Sequence, residues 1–249
     1  MAVGPLAAGF GVRHDNYLCQ AMSSGSDRTA EQMEQDLREL IATVQNAHLS
    51  ALLDRVLAPD SETWAAFRDA PAAKHYHHAY VHGLLDHTLT VAQAVGALSA
   101  IFGSMNRDVA LTGAILHDIG KLDAYAFCGD HIEMTGAGRL HGEIVLGYSR
   151  VRDAIAEIDS FPPELGQALL HIILSHHGAL EHGSPVVPCT REATLVHMAD
   201  NLGSKLGSFD RIECALDAGA RWAGYDNGIG AVAYFGADGA EPENARLAA

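Results

Sequence analysis

The chain has 249 residues, of which 48% are hydrophobic and 19% charged, the balance of an ordinary globular protein with a sizeable core. Its 31 acidic residues exceed its 16 basic residues and give a net charge of −15, which disfavours a broad surface for binding long nucleic acids. Four widely spaced cysteines indicate reduced thiols, and neither a signal peptide nor an apolar run approaching the ~20 residues of a membrane span is found. We therefore expect a cytoplasmic protein outside the membrane.

Residues 1–28 are rich in Gly, Ala and Ser and show no periodicity, so we expect a loose N-terminal arm. The absence of βαβ alternation, heptads and internal repeats predicts an all-α chain, with one helical domain over 29–235 and a C-terminal tail over 236–249. Residues 122–138 are expected to be irregular, with a turn or short hairpin. Apolar spacing predicts helices over about 29–44, 47–57, 60–69, 78–101, 107–118, 141–157, 163–176, 191–207 and 208–219.

Candidate metal ligands follow one another on these apolar helices. One helix runs into His117 and Asp118, and burying both side chains is costly unless a partner such as a metal ion satisfies them. His87 falls on the apolar stripe of the preceding helix, and His176 and Asp200 lie on later ones. A single buried histidine is usually a hydrogen-bonded core residue. This succession instead favours a metal centre, with ligands that suit Mn, Fe, Co, Ni or Zn better than Ca.

The same residues carry a family resemblance. The order His87, His117-Asp118 and Asp200 resembles the HD superfamily of metal-dependent phosphohydrolases. A closer likeness, to the HD domain of YhaM-type 3′–5′ exoribonucleases, lies in Pro71-Ala-Ala-Lys74, His77-His-Ala-Tyr80, Gly83-Leu-Leu, Leu116-His-Asp-Ile-Gly-Lys121, Ile173-Leu-Ser-His-His-Gly178, Gly183-Ser-Pro185 and Asp200-Asn-Leu. The resemblance implies an HD-domain helical bundle, divalent metal (often manganese) and phosphodiester hydrolysis from a 3′ end.

The resemblance also implies roles for individual residues. His87, His117, Asp118 and Asp200 would hold a first ion, and Asp118 would bridge to a second ion held partly by His176. A hydroxide shared between ions about 3.5–4 Å apart would then attack phosphorus in line.

Further residues would contact the substrate. Lys121 would neutralise charge on the phosphoryl oxygens, and His177 would be a further ligand or a substrate contact. Lys74, His77 and His78 would grip a second phosphate or cap the site.

Two departures from the family pattern, together with the glycine at position 83, narrow the expected substrate and metal ligands. The roughly thirty residues ahead of the first helix are too few for the OB-fold domain that such exoribonucleases usually carry, so we expect a nucleotide or short oligonucleotide as substrate rather than long RNA. Where the family has a histidine, Glu143 stands, with His141 two residues earlier; two residues on a helix are about 200° apart, so one or the other would be a ligand. Gly83, four residues before His87, lacks the carboxylate that some trinuclear HD phosphodiesterases carry, which argues against a third metal.

Two other functional classes remain open at this point. A diiron HD site can activate oxygen, which would make the protein an oxygenase, and a non-catalytic nucleotide-binding module would bind its ligand without turnover. The sequence does not decide the natural substrate, the native metal or the oligomeric state, and a homo-oligomer is one of the open alternatives.

Overall fold

The fold is helical, as the sequence predicted, with two short antiparallel hairpins added. A computed structural model describes residues 28–73, 80–128 and 131–236, so nearly all of the predicted arm and tail lies outside the described residues. The helices are α1 (Ala30–Ala42), α2 (Ala47–Val56), α3 (Glu62–Asp69), α4 (Gly83–Phe102), α5 (Arg107–Leu116), α6 (Lys121–Ala124), α7 (Gly136–Ala156), α8 (Pro163–Ser175) and α9 (Arg191–Cys214). The hairpins pair β1 (Tyr125–Cys128) with β2 (His131–Met134) and β3 (Trp222–Asp226) with β4 (Ala231–Tyr234).

Side-chain caps set where most of these helices begin. At each capped N-terminus a short polar side chain accepts a hydrogen bond from a backbone N–H that has no partner within the helix. The first helix adds a capping box, in which the side chain of Gln32 accepts the N–H of Thr29 at 2.8 Å. The capping residues are Thr29, Asn46, Ser61, Asn106, Thr135 and Thr190.

Helix α4 is the central helix of the core. It packs against α1, α3, α5 and α9, and Leu84, Leu85, Leu89 and Val95 are fully buried along it. The expectation that no apolar run approaches the length of a membrane span is corrected here. By length and composition, α4 is long and apolar enough to cross a membrane. More than half of its apolar window is buried inside the protein, which is the pattern of a core helix.

Helix boundaries after α5 and within α9 differ from the predicted ones, and α7 begins at Gly136 rather than near residue 141. Helix α5 ends at Leu116, so His117 and Asp118 lie in the turn before α6 rather than at the end of a longer helix. Gly120 therefore precedes a short helix instead of stopping a long one. Helix α9 runs unbroken to Cys214, although a break near residue 207 was predicted, because its two glycines and two serines there (Gly203, Ser204, Gly207 and Ser208) do not interrupt the helical backbone.

The C-terminal hairpin, which the sequence did not predict, packs on the far end of α9. Arg211 on α9 donates to Asp226 at 2.7 Å, and the ring of Phe209 meets that of Phe235 edge-on. Ala233 is buried, whereas Trp222 and its cross-strand neighbour Tyr234 are exposed on the opposite face.

A close backbone crossing joins the turn after α5 to helix α7. A Cβ atom placed on Gly120 would overlap the carbonyl oxygen of Glu143 and the backbone nitrogen of Gly147. The φ of Gly120 is −69°, which any residue can adopt, so lack of space explains the glycine here. This contact holds the first turn after residue 142 of α7 against the His-Asp segment.

We expect Gly120→Ala to lower the free energy of unfolding by about 2–3 kcal/mol, because the backbones cannot separate without moving α7. Gly96→Ala is the matched control, since Gly96 lies inside α4 with nothing within 4 Å of an added Cβ. That variant should gain about 0.5–1 kcal/mol from improved helix propensity. Urea denaturation followed by circular dichroism measures both, and an unchanged midpoint for Gly120→Ala would contradict the crossing.

Candidate metal centre

Four helices deliver the predicted ligands to one buried point. His87 comes from α4, the pair His117-Asp118 from the turn after α5, His176 from the end of α8 and Asp200 from the middle of α9. The exposed fractions of the first four lie between 1% and 4%. Burial of so many ionisable groups at one point requires that they satisfy one another or share a cation.

The candidate ligands form two groups, within each of which the ligand atoms lie within 4.8 Å of one another. The first group is His87, His117 and Asp200, and the second is Asp118, His176 and His177. In the first, Nε2 of His87 lies 3.1 Å from Nε2 of His117 and 3.2 Å from Oδ1 of Asp200.

Asp118 lies between the two groups. Its Oδ2 is 3.2 Å from Nε2 of His87 and 3.4 Å from Nε2 of His117. Its Oδ1 is 3.5 Å from Nε2 of His176. One carboxylate therefore presents one oxygen to each group, which is the arrangement that a bridging ligand needs.

Backbone carbonyls fix the orientation and the tautomer of three histidines. Nδ1 of His117 lies 2.7 Å from the carbonyl oxygen of Ala114, and Nδ1 of His176 lies 2.8 Å from the carbonyl oxygen of Ile173. Nδ1 of His177 lies 2.9 Å from the carbonyl oxygen of His182. Because a carbonyl oxygen only accepts, each Nδ1 must carry the hydrogen, which leaves Nε2 of each ring directed at the candidate ligand groups.

His176 supplies a direct test of whether this donor set fits a metal ion. Its Nε2 is buried and makes no hydrogen bond to the described residues. A buried lone pair without a partner is costly, and a divalent cation is the partner that suits an imidazole beside a carboxylate. The described site therefore fits a divalent metal.

The charges of the cluster balance one another. Burial alone would lower the pKa of His87, but hydrogen bonds to Asp118 and Asp200 and their negative charges raise it to about 9. Burial would raise the pKa of Asp118, whereas Lys121 and His117 hold it well below its usual range. Burial would likewise raise the pKa of Asp200, but the hydrogen bond and the positive charge of His87 outweigh burial and lower this pKa. Both carboxylates are therefore ionised at neutral pH beside a protonated His87.

Of the two residues considered near the second group, the structure places Glu143 rather than His141 at the site. Oε1 of Glu143 lies 3.5 Å from Nε2 of His177. His141 is exposed, and Gly142 between them has a φ of +74°, which only glycine adopts readily. The break turns residues 141 and 143 independently, so a regular helical spacing could not decide between them.

Lys121 is held by the cluster rather than by solvent. Its Nζ lies 2.7 Å from Oδ2 of Asp118, and the charges of Asp118 and Glu143 outweigh burial and raise its pKa. The ammonium group therefore stays charged beside the carboxylate that faces both ligand groups. The other predicted substrate contacts, Lys74, His77 and His78, lie outside the described residues.

Sequence reasoning missed two residues that border this cluster. Tyr125 begins β1. Its pKa is raised to about 12 by burial, by the negative charge of Glu143 and by a hydrogen bond with Glu143. His197 lies three residues before Asp200 on α9 and hydrogen-bonds the backbone of His176. Nothing in the sequence signals Tyr125, whereas the helical spacing of His197 from Asp200 could have drawn attention to it.

The helical fold and these ligand groups are those of a candidate metal centre of the HD class. The HD-domain family profile matches residues 84–204, which contain His87, the His117-Asp118 pair and Asp200. Residues 84–204 therefore form an HD domain, the domain that characterises a superfamily of metal-dependent phosphohydrolases, as the motifs predicted.

Curated relatives share most of this chain. The protein is similar to the 3′–5′ exoribonucleases YhaM of Shouchella clausii, at 29% identity over 84% of this chain, and of Geobacillus sp. and Listeria welshimeri, each at 32% over 73%. It spans 63%, 54% and 56% of those relatives, respectively. No solved structure matches the chain.

We expect Mn²⁺ to stabilise the metal-stripped protein by about 2.7 kcal/mol at a concentration one hundred times its Kd. Asp118→Asn should abolish this stabilisation, because it removes the charge that faces both groups. Asp153→Asn is the matched control, since Asp153 is exposed and pairs only with its neighbour Arg152 among the described residues. Thermal denaturation with and without Mn²⁺ measures the effect, and an Asp118→Asn protein that Mn²⁺ still stabilises would contradict the assignment.

Metal binding should release about one proton at pH 7–8. His87 is protonated below its pKa of about 9, and it must lose that proton before its nitrogen can bind a metal ion. The release should fall to zero as the pH passes 9, and the affinity for Mn²⁺ should rise about tenfold per pH unit up to that point. Isothermal titration calorimetry in buffers of different ionisation enthalpy counts the protons. Release that is constant from pH 7 to 10 would show that His87 is not the group displaced.

Proposed function

We propose that this protein hydrolyses phosphodiester bonds in nucleotides or short single-stranded oligonucleotides, acting from the 3′ end like an exonuclease. The observation that carries the proposal is the position of Asp118, whose two oxygens face separate groups of imidazole ligands. A carboxylate shared in this way suits the two-ion sites, with ions about 3.5–4 Å apart, that catalyse in-line displacement at phosphorus. The proposal takes two divalent ions, with manganese favoured by the resemblance to YhaM-type enzymes.

The ligand sets of the two ions follow from the two groups. His87, His117 and Asp200 would hold one ion together with Asp118, and His176 would hold the other with Asp118 and either Glu143 or His177. When bound, divalent ions supply a hydroxide nucleophile at neutral pH and neutralise charge on the phosphoryl oxygens.

The remaining side chains would bind and orient the substrate. Lys121 carries a permanent charge next to Asp118, so it would attract a phosphoryl oxygen as charge develops there. The side chain of His177 is 28% exposed, and its Nε2 lies 3.5 Å from Oε1 of Glu143, which suits a group at the mouth of the site, in contact with an ion or a substrate oxygen. Lys74, His77 and His78 remain proposed contacts to a second phosphate.

The proposed substrate class rests on the relatives and on the charge of the chain. The relatives are named as 3′–5′ exoribonucleases, and the chain spans between half and two thirds of their length. A net charge of −15 opposes a long polyanion held over a broad surface, whereas a short 3′ end needs only the local positive charge of the ions and Lys121. The cytoplasm, where reduced cysteines are stable, is the proposed location.

The decisive experiment incubates the Mn²⁺-loaded protein without oxygen against short RNA, short DNA, cyclic nucleotides and nucleoside monophosphates. We expect release of nucleotides from the 3′ end of a short strand. Turnover that requires oxygen would favour the diiron oxygenase, and binding without turnover under any metal would favour a regulatory module.

Lys121→Met should lower kcat about 10²–10³-fold on the best substrate of that panel, since it removes a positioned charge beside the reacting phosphate. Lys205→Met is the control, because Lys205 is an exposed lysine on α9 whose ammonium makes, among the described residues, only a long contact, at 3.5 Å, to the carbonyl oxygen of Ile229. Initial rates at saturating substrate measure the effect. Equal rates for the two variants would remove Lys121 from the proposed mechanism.

A further inference from the structure

His197 contacts the backbone of the turn that carries two candidate ligands, His176 and His177. Its Nδ1 lies 2.7 Å from the carbonyl oxygen of His176, so it donates a hydrogen bond to that backbone. Its ring lies against Gly178, where an added Cβ would overlap it. Gly178 also has a φ of +81°, so both its conformation and its lack of a side chain are needed for this contact.

The carbonyl that His197 binds lies at the C-terminal end of α8. His176 is the C-cap of that helix, and carbonyls at such a position have no partner within the helix. The N–H of Gly178 satisfies the neighbouring carbonyl of Ser175 at 2.8 Å. His197 therefore completes the cap and fixes the peptide from which the side chains of His176 and His177 both depart.

The other contacts of these two histidines cannot replace this one. Nδ1 of His176 binds the carbonyl of Ile173, and Nδ1 of His177 binds that of His182. Those bonds set the rotation of each ring but leave the position of the shared peptide to the cap. A shift of that peptide would move both Nε2 atoms relative to Asp118, which the two ligand groups share.

His197 also shares a helix with the first group. It precedes Asp200 by three residues on α9, so the two side chains leave neighbouring positions on one helix surface. A single rigid segment thus carries one ligand of the first group and the donor that holds the ligands of the second.

We infer that His197 is a positioning residue that holds the His176-His177 turn in register with Asp200, and so sets the affinity of the ion at the second group. The inference rests on the proposed metal centre and deepens it. Groups that orient metal ligands from outside the coordination sphere typically contribute 10–100-fold to metal affinity.

The test compares two substitutions of similar size in the metal-stripped full chain. Asn in His197→Asn places an amide N–H where Nδ1 stood, whereas His197→Leu removes the donor. Titration with Mn²⁺ alone, followed by calorimetry and by the electron paramagnetic resonance of free Mn²⁺, measures stoichiometry and affinity. We expect His197→Leu to bind its weakest Mn²⁺ about 10–100-fold less tightly, as a His176→Ala reference does, and His197→Asn to stay within about threefold of the unmodified chain.

Thermal denaturation in chelator separates this role from general stability, because a positioning residue lowers metal affinity in a protein that still folds. His197→Ala replaces the Leu variant if the latter does not fold. Mn²⁺ binding by the donor-less variant equal to that of the unmodified chain would overturn the inference and leave the proposed function standing, as would equal weakening in the Leu and Asn variants. No Mn²⁺ binding by the unmodified chain would overturn both.

Discussion

The negative charge of Asp118, buried with only 4% exposure, is the constraint on which the site depends. An unpaired carboxylate at that depth costs several kcal/mol, so the groups around it must compensate. Lys121 does so at 2.7 Å, and imidazoles from α4, α5 and α8 surround the two oxygens. The helices that form the hydrophobic core are therefore also those whose packing keeps this charge paired.

Backbone groups, more than other side chains, orient the ligands in this centre. The carbonyls of Ala114 and Ile173 hold His117 and His176 by the same device, a ring bonded to the carbonyl three residues earlier. Each histidine follows the end of its helix, where carbonyls are left without helical partners. The ends of α5 and α8 thus supply both the ligand and the acceptor that fixes its tautomer.

Much of this centre could be predicted because its residues recur at helical spacing on apolar segments. His87 lies on a buried stripe, and His117, Asp118 and Asp200 follow in the order typical of the class. The choice between Glu143 and His141 could not be made, because it depends on the left-handed conformation of Gly142, which a periodic pattern does not reveal. The C-terminal hairpin and the full length of α9 were missed, since short strands and a polar helix end lack a strong apolar period, whereas a turn or short hairpin was expected within residues 122–138, where β1 and β2 lie.

The continuity of α9 has a mechanical consequence. Asp200 and Arg211 lie eleven positions apart on one helix, about 16 Å along its axis. Arg211 donates a hydrogen bond to Asp226 of the C-terminal hairpin. The outer side of that hairpin exposes Trp222 and Tyr234 to solvent. The exposed aromatic surface and the buried aspartate are therefore connected through one unbroken helix and its backbone hydrogen bonds.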